Sequence, residues 1–108
     1  MAKMVNLTPH VINVLNEDNT LLKAIEPSGV VARCSTCREE AGKIDGIPVN
    51  RTSFGVVSGL PGPEPGTYYI VSALTAQAVP NRADVLVTDD AVRDQEGRII
   101  GCRALAHI

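Results

Sequence analysis

Apolar and polar positions alternate along this chain in short runs, and glycine or proline breaks almost every one. Val11-Ile12-Asn13-Val14-Leu15 reads as a first strand after Leu7-Thr8-Pro9-His10, and the turn residues Asn16 to Thr20 let Leu21–Ile25 pair back on it. Glu26-Pro27-Ser28-Gly29 is a further turn, with a strand expected over Val30–Cys34. Asp45-Gly46, between Ile44 and Ile47, predicts a two-residue hairpin with positive φ at both positions. Its second arm, Val49–Val57, is interrupted by Gly55, where a bulge is expected. Tyr68–Val71 and Val85–Val87 are apolar strands on either side of a helix over Ala73–Val79 that Ser72 caps and Pro80 stops. Ile99–Leu105 is the last strand, entered through the turn at Arg93 to Arg98. Residues 36–42 read as an additional turn of helix, and residues 1–6 as a loose start with Met4 a possible second initiator.

This pattern predicts an α+β fold. The chain is expected to form a single compact domain over residues 1–108, a mostly antiparallel mixed β-sheet with one short helix in a strand–helix–strand crossover. At 108 residues there is room for one core and not for two. That core must be aliphatic: there are 13 Val and 8 Ile, against one Phe, two Tyr and no Trp.

Charge removes some functions. A formal net charge of −2 argues against general nucleic-acid binding, which usually needs a basic excess. No run is long and apolar enough to span a membrane, and MAKMVNLTPH lacks the apolar segment of a signal peptide. Three cysteines, an odd number, suit a reducing compartment, so a soluble cytoplasmic protein is expected.

Each candidate chemistry has an ordinary structural explanation beside it. Cys34-Ser35-Thr36-Cys37 has the spacing of a zinc or redox pair, but a structural zinc site needs four ligands, and only Cys102, His10 and His107 remain to complete one. A half-buried or surface thiol pair is the simpler expectation, so no metal and no cofactor is assigned. Gly55-Val56-Val57-Ser58-Gly59 lacks the G-x-S-x-G spacing of a nucleophile elbow, and no G-x-G-x-x-G or Walker loop is present. Asp84, Asp89, Asp90 and Asp94 are more simply turn and strand-end residues than acid–base groups. Ser72 at the helix start and Arg82 just beyond the helix form the best anion-binding candidate, although capping alone explains Ser72. His10, after Pro9, is either a structural hydrogen-bonding residue or a ligand contact.

A wider resemblance covers residues 6–106. The motifs Leu7-Thr8-Pro9-His10, Ile25-Glu26-Pro27-Ser28-Gly29, Phe54-Gly55-Val56-Val57-Ser58-Gly59-Leu60-Pro61 and Tyr69-Ile70-Val71-Ser72-Ala73-Leu74 occur in that order. They are followed by Arg82-x-Asp84 and Val92-Arg93-Asp94-x-x-Gly97-Arg98-Ile99-Ile100-Gly101. Together they resemble a family of small proteins found in bacteriophages and bacteria. Small phage proteins without catalytic groups often act by binding, and one such class is a sponge that sequesters nucleotide-derived immune signals between subunits. The expectation is therefore a non-enzymatic, homo-oligomeric binder of a nucleotide-like ligand. Ser72 and the helix amides would take a phosphate, Arg82 and Arg93 would add charge, and Thr8 or His10 would orient a ribose or base. One alternative is a structural or protein-interaction module that pairs through an exposed sheet edge. A weaker one is a phosphodiester or glycosidic hydrolase using Asp89, Asp90 and His10.

Overall fold

Short strands rich in β-branched residues assemble into two sheets. The computed structural model describes residues 2–108. In chain order the strands are β1 (Lys3–Asn6), β2 (Ile12–Leu15), β3 (Leu21–Ile25), β4 (Arg33–Ile44), β5 (Ile47–Ser58) and β6 (Thr67–Ile70). Helix α1 (Ala73–Gln77) follows, then β7 (Val85–Arg93) and β8 (Ile99–Ala106). Six strands form one sheet in the order β1-β6-β7-β8-β2-β3, and β4 and β5 form a second, two-stranded sheet.

The expected crossover is present. β6 and β7 are parallel neighbours, Tyr69 opposite Val85 and Ile70 opposite Leu86, and α1 lies between them in sequence. The expected antiparallel character does not hold for the main sheet, which is largely parallel. β1 enters parallel to β6 and β2 parallel to β8, leaving β7–β8 and β2–β3 as its antiparallel pairs. Within the stretch expected to be loose, Lys3–Asn6 run beside Thr67–Ile70, and the Leu7 amide continues the ladder to the Ile70 carbonyl at 2.9 Å, while residue 1 lies outside the described residues. Four residues with two apolar side chains carry little local signal, and a partner 64 positions away supplies the order.

The hairpin at Asp45-Gly46 forms as expected, with φ of 53° and 76° at the two turn residues. Its second arm, expected over Val49–Val57, runs from Ile47 to Ser58, and its first arm extends back to Arg33. Arg38-Glu39-Glu40, in the stretch read as helical, instead pair with Thr52, Arg51 and Asn50, so the cross-strand ladder overrides local helix preference. Val30–Ala32 are not strand, and β4 begins only at Arg33. The bulge expected near Gly55 is present: Cys34 pairs with Val57 but Thr36 with Phe54, which leaves one extra residue on β5.

The core lies on both faces of the main sheet, as strand alternation requires. Tyr69 and Val71 pack with Leu7, Ala32, Ala76 and Val85 beneath α1. Ile70 points the other way and is fully buried with Ile12, Ile25, Leu86 and Cys102. Away from its root near α1, the β4–β5 arm stands clear of this body. The radius of gyration is accordingly 16.5 Å, against about 13 Å for a compact chain of this length. The expectation of compactness is corrected to an extended shape.

Candidate functional site

Two adjacent parallel strands, β1 and β6, end side by side and then diverge. The chain leaves β1 toward β2 through Thr8-Pro9-His10, and leaves β6 through Val71-Ser72 into α1. Crevices at the carboxyl ends of parallel strands whose connections part are favoured ligand positions in open sheets. Here that crevice is an open cleft of about 610 Å³. Its lining is largely apolar, with Ile12, Val71, Val87, Ile99 and Ile100 among the walls, and Thr8, His10, Asn13, Ser72 and Thr88 as the polar side chains.

A buried amide sets one wall. The Asn6 side chain accepts the Thr8 amide at 2.9 Å and the Thr8 hydroxyl at 2.6 Å. Its nitrogen donates to the His10 carbonyl at 2.7 Å and to the Ile25 carbonyl at 3.0 Å. Asn6 is 1% exposed; its bond to the Ile25 carbonyl is buried and the other three are part-buried. They fold Thr8-Pro9-His10 into a fixed bend and leave the His10 side chain exposed at the cleft.

The opposite wall is the start of α1. The Ser72 hydroxyl donates to Thr75 Oγ1 at 3.0 Å and accepts a long bond from the Thr75 amide at 3.4 Å, which is the expected cap. With only five residues, α1 contributes little of the aligned dipole that draws anions to longer helices. The floor comes from β7 and β8. One extra residue at Ile100, between the Val92–Gly101 and Arg93–Ile99 pairs, bulges β8 beside the cleft. Gly101 permits the close approach of β2, since a Cβ there would meet the Asn13 carbonyl oxygen at 2.7 Å.

The structure brings together three of the five residues expected to bind ligand: Thr8, His10 and Ser72 line this cleft. Arg82 and Arg93 are placed outside its lining. The Arg82 guanidinium grips Asp84 with two bonds of 2.8 Å and donates to the Pro61 carbonyl at 2.9 Å. The Asp84 hydrogen bond holds Arg82 above its ordinary pKa, and the same bond holds the Asp84 carboxyl below the usual carboxylate range. Arg93 donates to the Gly97 carbonyl at 2.8 Å across its own hairpin. Asp89 and Asp90 lie on β7 outside the lining that holds His10.

A second, smaller cavity of about 280 Å³ shares Thr8, Pro9 and Ser72 with the first, so these residues form the divide between them. Arg33 and Cys34, at the root of the arm, line its far side. Arg33 makes no ion pair among the described residues. Sequence reasoning missed both Arg33 and Asn6. Neither lies in a chemistry-bearing motif, and only the packing of β4 and β1 against the strand ends brings them to the site.

Cys34 and Cys37 are three apart on a strand, so their side chains leave opposite faces and cannot converge as in a zinc knuckle or redox pair. No group of three or more His, Cys, Asp or Glu side chains among the described residues is arranged to hold a metal ion. Among the described residues no helix is long and apolar enough to cross a membrane.

No protein-family model, curated protein or solved structure matches this chain.

Proposed function

We propose that the protein binds a small nucleotide-like ligand without transforming it. The observation that carries this reading is the convergence of Thr8, His10 and Ser72, from two parallel strand ends, on one mostly apolar cleft. Its volume falls within the roughly 300–1,000 Å³ of small-ligand sites. The apolar walls suit the faces of a base. His10 supplies a hydrogen bond for a base edge or a ribose, and the Thr8 and Ser72 hydroxyls, whose protons go to Asn6 and Thr75, remain as acceptors. Arg82 and Arg93 are committed elsewhere, so the cation for a phosphate is Arg33, reached across Thr8 and Ser72 in the adjoining cavity. A sponge for nucleotide-derived immune signals, the role suggested by the resemblance to small phage proteins, is the concrete form of this reading.

Native mass spectrometry of the purified protein, followed by denaturation and analysis of released small molecules, tests it directly. A bound nucleotide-like compound at fixed stoichiometry is the expected result. Arg33→Ala and His10→Ala should each weaken its binding about tenfold, equivalent to roughly 1.4 kcal/mol. A ligand-free protein that shows no thermal shift with a panel of mono-, di- and cyclic nucleotides would overturn the reading.

The interaction-module reading draws support from a different region, the exposed β4–β5 arm. The hydrolase reading has no such support, because Asp89 and Asp90 are not placed with His10.

A further inference from the structure

The β4–β5 arm is two strands of 12 residues each, almost wholly exposed. A lone two-stranded ribbon is marginal in water, and both of its edges present unpaired backbone groups. Ile44, Ile47 and Val56 on this arm are 68%, 64% and 78% exposed, and Phe54 is 45% exposed. The whole chain exposes 7440 Å², whereas a compact monomer of its mass would expose roughly 5,800 Å². The excess is about twice the ~800 Å² per partner that a stable protein interface buries.

The arm's sequence says what covers it. β4 pairs only with β5, so its other edge is free, and the middle of that edge carries Arg38, Glu39 and Glu40. A two-fold axis through Glu39 would set this edge antiparallel to the same edge of another copy, and bring Arg38 of each beside Glu40 of the other. That self-complementarity is what an isologous contact requires. Neither sign of charge dominates, so the arm matches itself better than it matches a strongly acidic or basic partner.

We infer that the β4–β5 arm is a dimerisation device whose occupant is the arm of a second copy of this chain, paired antiparallel about its Arg38–Glu40 segment. This assignment is independent of the ligand reading, since it uses no cleft residue.

Sedimentation velocity over a dilution series, combined with hydrogen exchange of the arm amides, tests it. The wild-type protein should sediment at twice the 11.4 kDa chain mass, with arm amides exchanging at least about tenfold slower than unprotected ones. Glu40→Arg should give a monomer with a fast-exchanging arm and unchanged exchange in the six-stranded sheet. Leu22→Asp, on the exposed edge strand β3, should leave the dimer intact. Arg38→Glu alone should dissociate the dimer, and Arg38→Glu with Glu40→Arg in the same chain should restore it. A monomeric wild type with an unprotected arm would overturn the inference, leaving the arm for a partner other than itself. A dimer that survives both Glu40→Arg and Arg38→Glu, or one lost with Leu22→Asp, would overturn it by placing the interface elsewhere.

Discussion

Asn6 holds Thr8 twice, by its backbone amide at 2.9 Å and by its hydroxyl at 2.6 Å, while donating to carbonyls on either side of the same bend. This one buried side chain ties β1, the approach to β2 and the end of β3 together. Asn6→Ala would remove four bonds and strand the buried Ile25 carbonyl, while the His10 carbonyl keeps the Thr8 hydroxyl at 3.1 Å. The expected loss is about 2–3 kcal/mol, read from urea denaturation. Asn6→Asp should be at least as damaging, because a carboxylate cannot donate to the His10 and Ile25 carbonyls. A change below about 0.5 kcal/mol in both variants would show that the bend forms without Asn6.

Arg82 and Asp84 form a bidentate pair, their side chains 22% and 15% exposed. Arg82→Ala should therefore lower Tm, costing roughly 1 kcal/mol near neutral pH. Because the Asp84 pKa is depressed in the folded state, its stabilisation is present above the unfolded carboxyl value of about 3.9 and is lost as pH falls through the lower folded value. The stability gap between wild type and Arg82→Ala should accordingly be full at neutral pH and close in acid. Urea melts across that range measure it, and a gap that persists unchanged at low pH would contradict the pairing.

At Gly101 the backbone of β8 lies close to β2, and an added Cβ would also meet Leu15 Cδ1 at 3.1 Å. The β2–β8 contact rests on the single pairing of Val14 with Cys102, so little ladder is present to absorb the strain. Gly101→Ala should destabilise by about 1–3 kcal/mol and speed hydrogen exchange in β2 and β3. Unchanged exchange there would show that β2 shifts without cost.

The three thiols should separate by reactivity. Cys37 is exposed on the arm, while Cys102 is buried between β7 and β2 and its pKa is pushed up by burial. A disulfide reagent under native conditions should modify Cys37 readily and Cys102 only on unfolding. Prompt modification of Cys102 would mean that the β2–β8 junction opens often.

Local chemistry accounts for what was legible in the sequence. Ser72 before Ala73-Leu74 and Asp45-Gly46 between two isoleucines each act over a few bonds, so cap and hairpin turn sit where the residues place them, while the helix ends at Gln77, short of the Val79 expected from Pro80. The crossover was legible for the same reason, as two apolar runs flank a capped helix. Thr8, His10 and Ser72 could be named as candidates because they stand at strand ends.

Long-range pairing decided the rest. β1 has almost no intrinsic signal and exists because β6 pairs with it, which also made the main sheet largely parallel. The Arg38-Glu39-Glu40 run would favour a helix on its own, and it is extended because β5 lies opposite it. Arg82 looked available beside the helix, and only the fold places Asp84 and the Pro61 carbonyl around it. A sequence determines where backbone turns and caps can form, because those interactions are local. Which strand ends meet, which cation faces a cavity and which ribbon is left bare depend on contacts between distant residues, and tertiary structure alone sets these.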